Sequence, residues 1–461
     1  MNTKPLSNST RPLRIRPPRT GDLWFYGLLF LGACTGAQAA SAPVTPLRLD
    51  AAITEALTQG SRVLIGAARR DAAAARAGWR TSTYVPAVDL TLSATRSRYP
   101  RTLTSIRQPG VFPELDRDVL DVVAQMRWTV WDSGQGRYER RAVLSQARGA
   151  DIALEMDRME TVERVSEAFL RLSLLQESQR VQHAHIQELR RRRSDIRSLL
   201  EEGRVARVDS LRIEEAVREA EMRAESLYLE IEHELNQLGA ELEREQPPTL
   251  DELALFALGT TAALPTAAAE AVAEASPRLA LAETRHETAQ HVREATRRQH
   301  RPRLTAFAEH RTRTGADYDP DHEWIVGAAF YVPLFQPRLG AEGQARSAEA
   351  AEASLATQQA RRALRVEAAR LLESMTLAEE RQAVANTRIA FLEEMVRVET
   401  RTYEEGRIAL SEVLATRNRL EAARAERLGA VAEGRLLRLR HAVLEGSLTP
   451  ERAVKITGEG S

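Results

Sequence analysis

Few side chains in this sequence stand at spacings that could support chemistry. One group of side chains in the second half of the chain could ligate a cation, because its carboxylates and imidazole lie close together in sequence: Asp317, Asp319, Asp321 and His322. A solvated loop accounts for them better, because Gly315 and Pro320 interrupt regular structure there. His183 and His185 are two residues apart on a predicted helix, so their rings face different directions and make poor joint metal ligands.

The remaining motifs do not point to an enzyme. We find no glycine-rich phosphate loop, no zinc-ligand spacing and no nucleophile–base motif. The basic run Arg190–Arg193 lies between Glu188 and Asp195 on a long predicted helix and is interpreted as a solvated face. Acidic and basic residues balance at 65 each, which disfavours nucleic acid as a partner. The sequence therefore predicts no catalytic residue, no cofactor and no metal site.

The N-terminus has the features of a secretion signal. Several arginines precede the apolar run Leu23–Ala33, which is too short to span a bilayer as a helix. Ala37-Gln38-Ala39 has the small residues of a cleavage site, so residues 1–39 are predicted to be a signal peptide. Cys34 follows Leu31-Gly32-Ala33, which is similar to a bacterial lipoprotein box with Cys34 as the acylated residue. The sequence supports both interpretations, and both predict an exported protein.

The clearest signal is an internal repeat. The hexapeptide Glu201–Ala206 returns as Glu404–Ala409 with five of six residues identical, and long helical stretches flank both copies. Because repeats define architecture, the chain is predicted to contain two copies of one unit. The predicted parts are a signal peptide (1–39), a linker (40–46), a first repeat (47–245), an inter-repeat linker (246–275), a second repeat (276–446) and a C-terminal tail (447–461).

Long helices dominate each predicted repeat. The first helix is expected to run from Asp50, its N-cap, to about Thr83. Proline-free stretches predict helices over 136–202 and 340–405, each ~100 Å long at a rise of 1.5 Å per residue. A further helix follows each glycine corner, ending near residues 245 and 445. The first of these carries a heptad seam at Val217, Ala220, Ala224, Leu227, Ile231 and Leu238.

Four segments alternate apolar and polar residues as strands do, at 88–95, 120–130, 303–313 and 323–334. Strands of roughly ten residues suit a tilted crossing of the outer membrane. Four strands cannot close a barrel, for which about eight is the minimum, and an open sheet in lipid leaves unpaired backbone groups. If these strands lie in a membrane, several chains must share one barrel. Three chains would supply twelve strands, but this step does not choose three over two or four.

The order and spacing of these elements resemble the TolC-like outer membrane efflux protein family over about residues 47–445. The matching residues begin with the opening Leu49–Ile53 and the prolines before strands, Pro86 and Pro302. The fourth strand ends at Pro333-Leu334-Phe335. The two glycine corners complete the match, Gly203 with Asp209-Ser210-Leu211 and Gly406 with Glu412-Val413-Leu414. The resemblance implies a mainly α protein with a membrane β-barrel. Two tandem helix–strand–strand–helix repeats would supply long coiled-coil helices to a periplasmic α-barrel. Four strands per chain would contribute to a twelve-stranded, homotrimeric β-barrel.

The resemblance also implies an exit duct that conducts passively and is gated at its periplasmic tip. Asp209 and Tyr403 fall at two positions of a polar link, and Glu412 falls where an inner acidic ring is expected. The sequence departs from the family pattern at Ala415, in place of a second acidic ring, and at Ile408, in place of a basic link residue. The gate is therefore expected to be less cation-selective or latched differently. Asp209 could instead cap a helix, and Glu412 could be a solvated carboxylate.

The glycine corners are implied to contact the hairpin tips of a periplasmic adaptor protein, through Gly203, Arg204, Val205, Gly406, Arg407 and Ile408. An inner-membrane transporter and outer-membrane lipid would be the other partners. The alternative is a periplasmic coiled-coil adaptor or scaffold without a pore. An adaptor normally has one helical hairpin, whereas this sequence predicts two hairpins and lipid-suited strands, which favours the duct. The transported substrate, whether drug, metal cation or protein, stays open.

Overall fold

The computed structural model describes residues 46–81, 84–103, 110, 112–259, 268–316 and 319–458. The predicted signal peptide, Cys34 and Asp317 lie outside these residues. The helices are α1 (Leu49–Gln59), α2 (Ser61–Thr81), α3 (Gln135–Glu201), α4 (Arg207–Glu241), α5 (Ala269–Ala275), α6 (Pro277–Arg298), α7 (Pro337–Glu404), α8 (Leu410–Glu445) and α9 (Pro450–Thr457). The strands are β1 (Ala87–Thr102), β2 (Leu115–Trp131), β3 (Arg303–Gly315) and β4 (Asp321–Tyr331).

The predicted first helix is wrong in its start and in its continuity. It begins at Leu49, which is fully buried in the core, and Arg48 rather than Asp50 takes the N-cap position. Gly60 then divides the segment into α1 and α2 with an extended backbone at φ −61° and ψ 123°. A Cβ atom at Gly60 would lie 2.3 Å from the Ala56 carbonyl oxygen, so only glycine fits this break.

The segments predicted as inter-repeat linker and tail contain helices that complete the core. A 3₁₀ turn (Leu250–Glu252) and α5 lie within 246–275, and α9 lies within 447–461. We call α1, α5, α9 and residues 246–259 the belt. The apolar side chains of α1, α9 and residues 246–259 pack on α3 and α8 around Phe169, which is fully buried. Val272 and Ala273 of α5 pack instead against Leu364 and Ala368 of α7. Arg435 of α8 is 6 % exposed and donates to the carbonyls of Gly259 and Thr457, which ties two belt segments to the same helix.

The long helices form an open array with one order across the chain. α3 contacts α2 and α4 on one side and α6 and α8 on the other, and α7 contacts α6 and α8. The order is therefore α2/α4, α3, α6/α8, α7, with a small further contact between α4 and α8. Within the described part of the chain and apart from the belt, no helix packs beyond α7 or beyond the α2/α4 pair. The two ends of the array are open.

The four strands form one antiparallel sheet in the order β1-β2-β3-β4. The register aligns Leu90 with Ala124, Ala124 with His310 and His310 with Trp324, so these side chains share one face. That face is mainly apolar and open, with Trp324 71 % and Val326 79 % exposed, and it carries one polar patch at His310, Thr312 and His322. The sheet therefore presents an unpaired apolar surface of the kind that the strand alternation predicts.

The opposite face of the sheet carries charges that pair across strands. Asp121 of β2 accepts from Arg313 of β3 at 3.1 Å and lies 3.5 Å from Arg311, which in turn is 3.2 Å from Glu309. Arg127 of β2 lies near Asp89 of β1 in the same way. Because charged groups avoid an apolar medium, the two faces of the sheet suit different surroundings.

A buried aspartate joins the sheet to the first long helix. Asp132 accepts hydrogen bonds from the backbone N–H groups of Gly134 (2.9 Å) and Gly136 (2.7 Å), and from the Tyr84 hydroxyl (3.0 Å). Burial and then this carboxylate raise the pKa of Tyr84 to about 12. Asp132 thus satisfies free N–H groups at the start of α3 and holds Tyr84 below the sheet.

We expect Asp132→Ala to lower the free energy of unfolding by about 1–3 kcal/mol, because it leaves buried donors without an acceptor. The measurement is the guanidinium denaturation midpoint of the purified protein. Asp151→Ala, at an exposed position of the same helix, is the matched control. Equal midpoints for the two variants would contradict the role of Asp132.

Candidate functional site at the helical tip

Two glycine corners lie at the ends of α3 and α7, and each of these helices begins within six residues of a strand and runs away from the sheet for 67 or 68 residues. Gly203 and Gly406 both adopt φ 73°, a left-handed conformation that favours glycine. Arg204 N–H donates to the Leu199 carbonyl at 2.9 Å, and Arg407 N–H donates to the Thr402 carbonyl at 3.0 Å. Both corners therefore use the same helix-ending motif, which satisfies carbonyls left open at the ends of α3 and α7.

The predicted contact residues of the corners differ in exposure. Gly203, Arg204, Gly406 and Arg407 are exposed, whereas Val205 and Ile408 are half-buried. Arg204 pairs with Glu202 and Arg407 with Glu405, both at 3.3 Å, so the repeat extends to side-chain geometry. Open space surrounds both glycines on the described chain.

A small apolar cluster joins the two hairpins just above the corners. Hairpin α3/α4 contributes the larger part, and α8 adds Leu410 and Leu414, with Tyr403 of α7 packed against the cluster. Leu410 and Ile213 are fully buried there. Separation of the hairpins at the tip would expose this cluster to water, so the packing favours the arrangement seen here.

The two predicted link residues, Asp209 and Tyr403, both lie close to the corners. Burial and then the Asp209 charge raise the pKa of Tyr403. The Tyr403 hydroxyl is buried, and the described residues offer it no hydrogen-bond partner. Asp209 lies in the first turn of α4, 3.7 Å from Arg212. A direct hydrogen bond between Asp209 and Tyr403 thus stays a prediction.

Glu412 lies in the first turn of α8 and is exposed, as is Ala415 one turn later. A carboxylate at this position interacts favourably with the helix N-terminus. A single chain carries one such carboxylate, and a ring would need further copies around an axis. The acidic ring therefore also stays a prediction.

A charge clamp that links the hairpins was missed in the sequence. Glu188 of α3 accepts from Arg417 of α8 at 3.0 Å and lies 3.4 Å from Arg192, whose guanidinium also donates to Thr400 of α7 at 3.2 Å. The side chains of Arg417 and Arg192 are only 14 % and 17 % exposed. The interpretation of Arg190–Arg193 as a solvated face is thus wrong for Arg192. No local pattern marks the clamp, because its partners are about 200 residues apart in sequence.

His185 is buried beside this clamp, while His183 is exposed. Burial lowers the pKa of His185, and the charges of Arg417, Arg223 and Arg424 lower it further, against a smaller opposite effect of Glu188. A neutral imidazole is therefore the form that fits between the hairpins.

We expect acid to loosen the tip. The lowered pKa means that His185 contributes stability above its usual pKa of about 6.5, and that this stability is lost as the pH falls towards the lowered value. Hydrogen exchange of the amides near residues 185–189 should accelerate between pH 7 and pH 5. The variant His185→Gln should show a flatter pH dependence, and an identical pH dependence in both proteins would refute the assignment.

Comparison with known proteins identifies the architecture. The family model described as outer membrane efflux protein matches residues 52–240 and 268–435. The chain belongs to the outer membrane efflux protein family. The match falls in two segments, one in each half of the chain, and channels of this family are not enzymes. No curated protein matches this efflux protein.

Solved structures share the fold of the efflux protein at low sequence identity. The outer membrane protein VceC of Vibrio cholerae is 18 % identical, with a TM-score of 0.74 over 87 % of this chain and 95 % of its own. The CmeC outer membrane channel of Campylobacter jejuni is 13 % identical, with a TM-score of 0.74 over 89 % of each chain. The open state of the MtrE outer membrane channel of Neisseria gonorrhoeae is 15 % identical, with a TM-score of 0.72 over 87 % of this chain and 90 % of its own.

These likenesses confirm the fold class, with two tandem repeats, long helices and a four-stranded antiparallel sheet. Among the residues described here, no helix combines the length and apolar character needed to cross a bilayer. Family membership indicates that the protein is an outer-membrane channel.

Proposed function

We propose that this protein is the exit duct of a tripartite efflux or secretion system. Three copies form the duct, which conducts substrates passively from a periplasmic adaptor and an inner-membrane transporter to the exterior. The helical part lies in the periplasm, and the tip with its two corners is the gate. Family membership supports the channel, and the open edges of the single chain support its assembly with further copies.

The open edges are the observation that carries this proposal. β1 and β4 end the sheet, and the α2/α4 pair and α7 end the helical array. Unpaired strand edges in lipid cost several kcal/mol per polar group, so edge strands must find partners. Joining β4 of one copy to β1 of the next also brings α7 of the first copy beside α2/α4 of the second. One head-to-tail contact thus completes the sheet and the helical array together.

The two outer helices, α7 and α4, each carry a stripe of exposed apolar residues, and the two stripes lie at similar distances from the tip. On α7, Val398, Phe391 and Val384 lie 6, 13 and 20 residues from its end at Glu404. On α4, the stripe residues lie 4, 15 and 22 residues from its start at Arg207: Leu211, Met222 and Leu229. An offset of two residues is about 3 Å along a helix, within the reach of side chains. The stripes therefore support a heptad seam between neighbouring copies.

Barrel closure and family membership support a trimer, although closure alone does not choose three copies over two or four. Twelve strands from three chains exceed the minimum of about eight for a closed barrel. The apolar face, with Trp324 and Val326, would then contact lipid, and the charged face, with Asp121 and Arg311, would line the lumen. This arrangement gives each face of the sheet the surroundings that its side chains favour.

The proposed gate combines the apolar cluster, the clamp and the acidic tip. Asp209, Tyr403 and Glu412 stay part of it, and the exposed corners are the contact surface for the adaptor. If three Glu412 carboxylates surround the axis, they favour cations in a narrow mouth.

We expect Glu412→Ala to reduce the cation preference of the channel, with a reversal potential in a salt gradient that moves towards zero. Planar-bilayer recording of the reconstituted assembly is the measurement. Glu451→Ala, on the exposed surface of α9 in the belt, is the control. An unchanged reversal potential in Glu412→Ala would remove the acidic ring from the gate.

The experiment that tests the whole proposal is membrane fractionation followed by unboiled gel analysis of the native chain. A heat-dissociable species of about three chains in the outer membrane, which conducts ions in bilayers, is the expected result. A soluble periplasmic monomer or dimer would contradict it and favour a coiled-coil adaptor or scaffold.

A further inference from the structure

An open groove of about 910 Å³ lies where α8 ends and α6 begins, between α3 and α7. Its floor is apolar and includes Leu371, Val443 and Leu444. Its rim is charged and contains more basic than acidic groups, with Arg278, Arg362, Arg370 and Arg440 against Glu163 and Glu367. The groove thus combines an apolar floor with a rim that carries more basic than acidic groups.

The carboxylates of the rim leave part of its positive charge uncompensated. Arg278 makes two hydrogen bonds to Glu367, at 2.8 and 3.0 Å. Arg440 lies 3.8 Å from both Glu163 and Glu167, at the limit of an ion pair. Arg362 and Arg370 are exposed and form no ion pair within the described residues. Two turns of α7 separate these two arginines, so they stand at either end of the apolar floor.

The groove opens on the side of the helical array opposite to the belt. Arg361 and Arg365 of α7 pair with Glu274 of α5, which fixes the belt side of this helix. Arg362 and Arg370 lie on a different side of α7 and line the groove. A ring of twelve helices, each about 10 Å wide, encloses a lumen of only ~28 Å. Three belts do not fit inside such a ring, so the belts lie outside it and the grooves face the lumen.

We propose that this groove binds amphipathic organic anions, which have a carboxylate, sulfonate or phosphate head and an apolar body, as they pass along the duct. The head would pair with Arg362 or Arg370, and the body would cover Leu371, Val443 and Leu444. Water-excluding contact on the floor strengthens the charge pairing at the rim. The inference rests on the proposed duct, since it needs the trimeric ring to turn the groove inward.

The test uses two probes that share one fluorophore and carry opposite charges. Dansylglycine carries a carboxylate, dansylcadaverine carries an ammonium group on a longer alkyl chain, and both have the same dansyl ring system. The longer chain adds apolar surface to the cation, so a preference for dansylglycine must come from charge. Fluorescence anisotropy of each probe is measured with the purified full-length assembly at low salt. We expect dansylglycine to bind at least tenfold more tightly than dansylcadaverine. The double variant Arg362→Gln/Arg370→Gln should lose about tenfold of the dansylglycine affinity.

The control variant is Arg397→Gln, an exposed arginine of α7 that pairs only locally with Glu394 and lies outside the groove. It should bind dansylglycine as the native protein does. Equal affinity for both probes, or an unchanged affinity in the double variant, overturns the proposal. Gel analysis and conductance of the same preparations distinguish a failure of the groove proposal from a failure of the duct proposal. A conducting trimer that binds both probes equally refutes only the groove. The absence of trimers refutes the duct.

Discussion

Phe391→Asp is expected to leave the protein monomeric. Phe391 is 67 % exposed on a single chain and occupies the middle of the apolar stripe on α7. It lies about as far from the tip as Met222 does on α4. Burial of one phenylalanine side chain stabilises an interface by about 1.5–3 kcal/mol, and a carboxylate in its place must be desolvated without a partner. Because each of the three seams carries the change, the assembly loses this energy three times.

Unboiled gel electrophoresis and light scattering of the detergent-purified variant measure this effect. Ala390→Asp adds the same charge at the adjacent exposed position, off the stripe, and should remain trimeric. Both variants should retain the helix content of the native chain, since neither side chain lies in its core. A trimer in Phe391→Asp as stable as the native one would show that the seam does not run along this stripe.

Glu188→Gln is expected to open the tip. The carboxylate stands between Arg417 and Arg192, which lower its pKa even though desolvation acts in the opposite direction. Its removal leaves two half-buried guanidinium groups facing each other across the two hairpins. The loss of one partner from a buried pair costs about 3–5 kcal/mol. Since Glu188 is 41 % exposed, a cost of about 1–2 kcal/mol per chain is the better expectation.

A change of 1.4 kcal/mol alters the ratio of closed to open states about tenfold. The mean single-channel conductance of the reconstituted variant should therefore rise clearly above that of the native protein. Glu221→Gln is the matched control, because Glu221 pairs with Arg190 at 2.6 Å inside one hairpin and does not cross between the two. Equal conductance in Glu188→Gln and Glu221→Gln would exclude the clamp from the gate.

The parts of this fold that local patterns encode could be predicted from the sequence. Gly203 and Gly406 follow long helical segments and take the left-handed conformation that ends them. The strand alternation around Leu90 and Trp324 predicts the apolar face of the sheet, because side chains on a strand alternate strictly between its faces. Both features depend on residues close together in the chain.

The parts that depend on tertiary packing were missed. Arg192 looks like any member of a basic run, and only the approach of α7 and α8 shows that it is partly buried. A single glycine inside a helical pattern does not by itself predict a break, so the division at Gly60 was missed although a Cβ atom there would clash with the Ala56 carbonyl. Residues 269–275 and 450–457 are short helices that gain their stability from the surfaces they cover.

The two open edges of the chain have a genetic consequence. A protomer that carries Phe391→Asp is damaged at its α7 edge, but its α4 edge is intact. When both forms are made in one cell, such a protomer can still dock onto the α7 edge of a native copy and then block the next addition. The allele should therefore be dominant-negative and lower efflux by more than its share of the protein pool. An allele that damages both edges, Phe391→Asp with Met222→Asp, cannot be incorporated and should be recessive.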